Sequence, residues 1–463
     1  MHAEKNSLEN VPAIMAGLML SLLLAALDNS IVATAMPKII GDLQGMEYYS
    51  LPFTSYLLFS TVAIPIAGKL SDVFGRKVVI LWGMTGFLAT SILCAISINM
   101  PMLILIRGLQ GACGGVLASS TFIITAELFP PKQRAKYIGI LASMHGLASL
   151  LGPVLGGVIT EYMSWHWIFF INIPIGIVAF YLLNRHLSLL KHADTTNNGL
   201  DVKGILVFLA AVFPLLFCLT EGGRLLPWTS PLLFILAALS ICLTIWFVKL
   251  EQKSHSPMLP SGLLKNKVFQ KAAIAAAMGY VALFGLILYI PYILQIVLKE
   301  SASFSGIMML PMSLSMVVGG MAGGAIVSRS QRYRQSSIIN FSIAIAGFAV
   351  LLFFGTDISM PLMVVALLLA GLGIGMNFPV VNIVPQAIIS VTQMGILVST
   401  IEFFQVMGGV LSTSVFGKML SLSLPAILWI CIAALATGII AMSLLDEKAV
   451  HEGFARQRNK ENN

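Results

Sequence analysis

Leu27-Asp28-Asn29-Ser30-Ile31-Val32 sets a carboxylate inside a long apolar run. A charge near the centre of a bilayer costs about 2.5–3.5 kcal/mol even on lenient scales, so such a residue pairs with another group, faces water or takes up a proton. Asp28 therefore points to a chain that spans a membrane and moves protons, ions or cations through it.

The rest of the chain fits that setting. Apolar residues make up 58% of the 463 and charged residues only 10%, against roughly 25% charged in soluble domains. Apolar stretches long enough to span (about 17–25 residues) recur fourteen times, from 12–36 through 137–159 to 424–444. In lipid these runs must be helices, which satisfy their own backbone hydrogen bonds. The predicted class is an all-α polytopic membrane protein with fourteen transmembrane helices.

Lysine and arginine set the orientation. With the N-terminus inside, only Lys38, Arg224, Lys299 and Lys418 of the 27 basic residues fall in outer loops, and Arg107 lies within a span. The others gather in tails and loops on the cytoplasmic side, so both termini are expected in the cytoplasm. The net charge of +8 is thus a topology signal, and no soluble basic surface is left to bind nucleic acid. The cysteines, Cys94, Cys113, Cys218, Cys242 and Cys431, sit in apolar segments without paired spacing. They read as small core residues rather than disulfides or metal ligands. The polar start, with Glu4, Lys5 and Glu9, runs into a span too long for a signal h-region, so no cleavable leader is expected.

Two longer cytoplasmic stretches, 185–203 and 250–271, flank the seventh and eighth spans and divide the helices six, two and six. The expected domains are an N-terminal six-helix bundle over 1–184, linkers with two extra helices over 185–271, a C-terminal six-helix bundle over 272–444, and a cytoplasmic tail over 445–463. Faint repeats relate the outer sixes. Residues Gly68 to Lys77 after the second span answer Gly323 to Arg329 after the tenth, and Gly108 to Gly111 answer Gly371 to Gly375. Repeats of this kind mark transporters built from two related bundles, although glycine-rich helix packing gives similar short matches. Gly371 to Gly375 lacks a following Lys-Ser/Thr pair, which excludes a phosphate loop.

Four motifs have fixed spacing. Asp28 sits in L-D-x-[ST]-I-V-x-x-A-x-P, ending at Ala35 and Pro37. Gly68, Leu70, Asp72, Gly75, Arg76 and Lys77 fit G-x-L-x-D-x-x-G-R-K, and Arg107, Gln110 and Gly111 fit R-x-x-Q-G. Gly139, Gly152, Pro153, Gly156 and Gly157 punctuate the fifth span. Trp165, Trp167, Asn172 and Pro174 follow it, and Asp201 with Gly204 opens the seventh. On these residues the chain resembles the fourteen-spanning drug:proton antiporter family of the major facilitator superfamily over nearly its whole length. Ala148, His166 and Phe53 depart from the family pattern without touching its acidic core. The resemblance implies two six-helix bundles working by rocker-switch alternation in a bacterial cytoplasmic membrane. It also implies small lipophilic or cationic substrates, protons as the coupled ion, and no cofactor beyond the proton gradient.

Burial disfavours the charged form of a carboxyl. Asp28 lies about nine residues, or roughly 13 Å, before Pro37, and is expected to load and release a proton in competition with a cationic substrate. A structural hydrogen bond to a neighbouring helix is the alternative. The resemblance puts the first and fourth helices on a central cavity, which makes Arg107 the expected partner of Asp28; Gln110, one turn on, shares its face. Glu402, with Gln405 one turn later, matches a helix where some quaternary-ammonium exporters carry acids, implying a site for a cationic substrate or a second proton. The resemblance implies that Gly68, Asp72, Gly75 and Arg76 form a conformational latch; a positive-inside topogenic loop is the alternative, which explains Arg76 and Lys77 but not the glycines or Asp72. Gly139, Gly152, Pro153, Gly156 and Gly157 would make a stiff element that seals against leak, or simply pack. His145 reads as a packing residue, and Glu127 as an interfacial acid within reach of water. Met308, Met309, Met312 and Met316, with Phe403 and Phe404, would line a soft pocket or face lipid.

Other classes fit less well. A dedicated exporter of a metabolite, lipid, amino acid or siderophore would use the same motifs. A transport-inactive receptor or assembly partner is expected to carry a large soluble domain or long tail, which this sequence does not show. An enzyme is expected to present a nucleophile–base or metal-ligand cluster, and the histidines here are scattered.

Overall fold

The computed structural model describes residues 11–44, 48, 51–187, 201–223, 226–254, 257–259, 261–388, 393–419 and 423–462, apart from some side chains within helices, that of Pro153 among them. The described residues form helices joined by turns and short irregular connections, with one isolated bridge between Gly222 and Leu226. The long helices are α1 (Val11–Leu43), α2 (Leu51–Phe74), α3 (Arg76–Ala95), α4 (Met100–Leu128), α5 (Pro131–Tyr162), α6 (Asn172–His186), α7 (Val202–Glu221) and α8 (Pro231–Glu251). They continue as α9 (Lys267–Tyr292), α10 (Ala302–Ser330), α11 (Tyr333–Phe354), α12 (Met360–Ile383), α13 (Met394–Met419), α14 (Leu424–Ser443) and α15 (Glu447–Asn462).

Local chemistry fixes several boundaries. Side chains of Asp201, Asn266 and Ser301 accept from the first free backbone N–H groups of α7, α9 and α10, satisfying donors that a helix start leaves open. Proline opens α8, α12 and α14, where its missing N–H costs nothing. Gly75, between α2 and α3, has φ +92°, a conformation that residues with a Cβ rarely adopt.

Thirteen helices among the described residues are long and apolar enough to cross a membrane: α1 to α4, α6 with the turn before it, and α7 to α14. They coincide with thirteen of the fourteen expected stretches. The remaining stretch, 137–159, lies within α5, a helix of 32 residues. Helix α1 runs past Pro37 to Leu43, so Lys38 is on the last turns of a helix rather than in a loop, and its Nζ donates to the Thr160 carbonyl.

The chain divides into two compact units, one of residues 1–127 and 147–200, the other of 128–146 and 201–463. In the first, α6 packs along α1 and α3. Gly111 and Gly115 of α4 face the backbone of Tyr56 and Ser60 on α2 so closely that a Cβ would collide. A core around Leu27, Ile31, Ala35, Leu103, Trp165 and Phe169 fills one end of this unit. Trp165 Nε1 donates to Asp42 Oδ2 at 2.9 Å, tying the chain after α5 to the end of α1.

In the second unit α12 packs against both α10 and α11, and α9 against α13 and α14. Helices α7 and α8 pair with each other, and α8 has the smallest buried share of the thirteen, 17%. Phe208 of α7 lies 5.7 Å from Phe403 of α13, ring centre to ring centre. The segment expected as a tail carries α15, whose Val450 and Phe454 are buried. Gln457 Nε2 of α15 donates to the Gln386 carbonyl at 2.6 Å.

Candidate functional site

Asp28 sits near the middle of α1 and is wholly buried. Arg107 Nη1, from α4, donates to Asp28 Oδ2 and to Gln110 Oε1 at 2.8 Å. Asp28 Oδ1 accepts from Gln110 Nε2 at 3.1 Å and from Asn172 Nδ2 at 2.8 Å. Ser91 of α3 joins the set, accepting from Asn172 Nδ2 at 2.8 Å and Gln110 Nε2 at 3.2 Å. Its own hydroxyl donates to the Phe169 carbonyl at 3.0 Å. The guanidinium carbon of Arg107 is 4.4 Å from the Tyr56 ring centre, a cation–π contact.

The hydrogen bonds around Asp28 need α1, α3, α4 and α6 at once, with Tyr56 of α2 against Arg107, and glycines in the sequence explain part of how these helices meet. Gly111 and Gly115 let α4 close on α2, which carries Tyr56. Tyr56 Oη in turn donates to the Ala25 carbonyl of α1 at 3.1 Å. On α5, a Cβ at Gly152 would strike Ser30, and one at Gly156 would strike Thr34 and the Ile31 carbonyl, so both glycines admit α1. Gly157 of the same expected set faces nothing within 4 Å. In the second unit Gly139 packs against the backbone of Gly320 on α10. Pro153 is in α5, but its side chain lies outside the described residues.

Asp28, Arg107 and Gln110 thus come together as the sequence suggested. Asn172 was visible there only as part of a motif, and Ser91 carried no signal at all, since a serine in an apolar helix ordinarily bonds its own backbone. Such a buried ion pair is costly to break: removing one partner typically strands the other charge at about 3–5 kcal/mol.

The Gly68 to Lys77 stretch, expected as a loop, is helical on either side of Gly75 and forms a second polar cluster. Arg76 Nη1 bonds Ser71 Oγ at 2.7 Å and Asp72 Oδ1 at 2.5 Å, while its Nε bonds Glu127 Oε1 at 2.9 Å. Gly68 is buried in α2. Glu127, expected at the water interface, has a side chain only 3% exposed; Arg76 supplies the charge that makes this burial tolerable.

In the second unit Glu402 of α13 is 7% exposed and Gln405 1%. Glu402 Oε2 and Gln405 Nε2 are buried without a hydrogen-bond partner among the described residues. Unmet polar atoms in apolar surroundings cost free energy that a ligand can return. Phe403 and Phe404 pack on Phe208 and Phe269. No group of three or more His, Cys, Asp or Glu stands ready to hold a metal among the described residues, and the five cysteines are free.

Comparison with known proteins places the geometry in context. A family model described as Major Facilitator Superfamily matches residues 18–413. The chain is 35% identical to the multidrug transporter protein MdtP of Bacillus subtilis, over 88% of this chain and 75% of that one. It is 33% identical to multidrug resistance protein 3 of the same organism, over 88% and 79%. Among solved structures it matches the human organic anion transporter MFSD10 with a TM-score of 0.69 at 16% identity, covering 94% of this chain and 99% of that one. It matches the proton:xylose symporter XylE with a TM-score of 0.68 at 12% identity, covering 94% of each. At these identities the structural likeness is one of fold.

Proposed function

Because the chain belongs to the major facilitator superfamily, whose members are transporters and not enzymes, we propose that it is a proton-coupled antiporter exporting lipophilic, cationic compounds. The observation that carries this reading is the wholly buried Asp28 carboxylate, held by donors from α4 and α6. Neutralising Asp28 with a proton removes the charge that Arg107 balances and lets the pair open. A cationic substrate favours the ionised carboxylate and so expels the proton, which is the simplest physical basis for exchange. Each proton moving inward contributes about 2.3 kcal/mol per 100 mV of membrane potential.

Glu402 and Gln405 form the proposed recognition site for the substrate's positive charge, supported by their unmet buried atoms. Asp72, Gly75 and Arg76, with Gly68 beneath them, act as the latch that favours one state of the cycle, and the buried Arg76 contacts support this role. Helix α5 is the fourteenth crossing; at 32 residues it is roughly 48 Å long, more than the ~30 Å hydrocarbon core requires. The architecture is then two six-helix bundles, 1–184 and 272–444, with two peripheral helices between them in sequence and both termini in the cytoplasm. The names of the two Bacillus relatives support multidrug export, and their organism supports the reading of a bacterial cytoplasmic membrane as the setting.

The test is dye efflux from vesicles reconstituted with the purified protein under an imposed pH gradient. Asp28→Asn is expected to abolish the release of protons driven by a lipophilic cationic dye. Release that persists unchanged in the variant would overturn the assignment of Asp28.

A further inference from the structure

The two amides beside Asp28 are not equivalent. Gln110 is satisfied at both ends: its Nε2 donates to Asp28 Oδ1 and Ser91 Oγ, and its Oε1 accepts from Arg107 Nη1 and the Cys94 thiol. Asn172 is satisfied at one end. Its Nδ2 donates to Asp28 Oδ1 and Ser91 Oγ, both at 2.8 Å, while its Oδ1 is buried without a partner. The arrangement suits a carboxylate that only accepts.

Resting on the reading of Asp28 as the proton carrier, we propose that Asn172 is the positioning residue that senses the proton, by turning its amide through half a rotation. Asp28 Oδ2 is held by Arg107, so a proton arriving from the aqueous side bonds to Oδ1 and the carboxylate becomes a neutral acid. That O–H then faces two N–H donors, and one amide must yield. Turning Gln110 would break the two bonds its oxygen accepts. Turning Asn172 brings an unused oxygen to the same place, where it accepts from the new Asp28 O–H. The Ser91 hydroxyl swings from the Phe169 carbonyl to that same oxygen, so two donated bonds become two accepted ones. Loss of the proton turns the amide and the hydroxyl back, and the restored carboxylate again pairs with Arg107. The ionisable groups facing Asp28 are Arg107 from α4, Tyr56 from α2 and Cys94 from α3. Asn172 from α6 is uncharged, so it can report the proton without competing for it.

The experiment is pH-difference infrared spectroscopy on the full chain in lipid, with asparagine carrying ¹³C at the side-chain carbonyl. Wild type should show a carboxylic band together with a shift of one labelled amide band. In Asn172→Ser the amide shift should vanish, and the carboxylic band should move to higher frequency as its O–H loses a strong acceptor. A labelled wild type without an amide shift overturns the proposal, whether or not the variant folds. So does a carboxylic band left in place by Asn172→Ser. If instead the carboxylic band survives Asp28→Asn, the assignment of Asp28 itself fails, and the amide switch falls with it.

Discussion

Asp28 and Arg107 hold opposite charges in the same buried space, so the effect of losing one depends on whether the other remains. Arg107→Ala leaves a carboxylate without its cation, at a cost of about 3–5 kcal/mol. Adding Asp28→Asn removes the stranded charge. The double variant is therefore expected to melt at a higher temperature in detergent than Arg107→Ala alone, although neither should couple transport to protons. A double variant less stable than the single one would show that the pair is not the dominant interaction. The pairing was legible through the family resemblance, which puts the first and fourth helices on one cavity and so sets the two charges facing each other. The contributions of Asn172 and Ser91 were not, because neutral polar side chains are common in helices and their partners depend on which faces meet. That the Glu127 side chain is buried rather than open to water was hidden for the same reason: its partner Arg76 lies 51 positions away.

Helix α5 supplies a control within a single element. A Cβ at position 156 would collide with Thr34 and the Ile31 carbonyl of α1, whereas one at position 157 meets nothing within 4 Å. Gly156→Ala should thus destabilise the protein by about 1–3 kcal/mol through overpacking and reduce efflux. Gly157→Ala should be neutral, or stabilising by up to about 1 kcal/mol from helix propensity. Thermal unfolding of the two purified variants checks this; equal losses would mean that the α1 contact does not constrain α5. The motif marked both glycines alike. Their difference is one of azimuth on the helix, and each next residue turns by about 100°.

At the scale of the whole molecule, the number of crossings fixes which side of the membrane each loop occupies. If α5 crosses, the loops at its two ends lie on opposite sides. Gln133 and Ser164 are both exposed, so in a background without the native cysteines Gln133→Cys should react with an impermeant thiol reagent from the cytoplasmic side and Ser164→Cys from outside. Labelling of both from one side would remove the fourteenth crossing and reverse the orientation of every later loop. The distribution of lysine and arginine makes the same forecast, because charged heads resist transfer across the lipid wherever the helices themselves end up.

The sequence by itself determined that this chain is a bundle of membrane helices, about how many there are, and where its costly charges lie. These follow from the apolar content of each segment and the price of a charge in lipid, which need no knowledge of neighbours. Only the tertiary structure decided what surrounds Asp28. It brought Ser91 from α3 and Asn172 from α6 to the carboxylate, and left one amide oxygen unpaired beside it. Those contacts depend on the rotation and close approach of separate helices, which are set by packing across the whole unit rather than by any one segment. Asp28 announced that a site exists, and the packing of four helices decided how it is built.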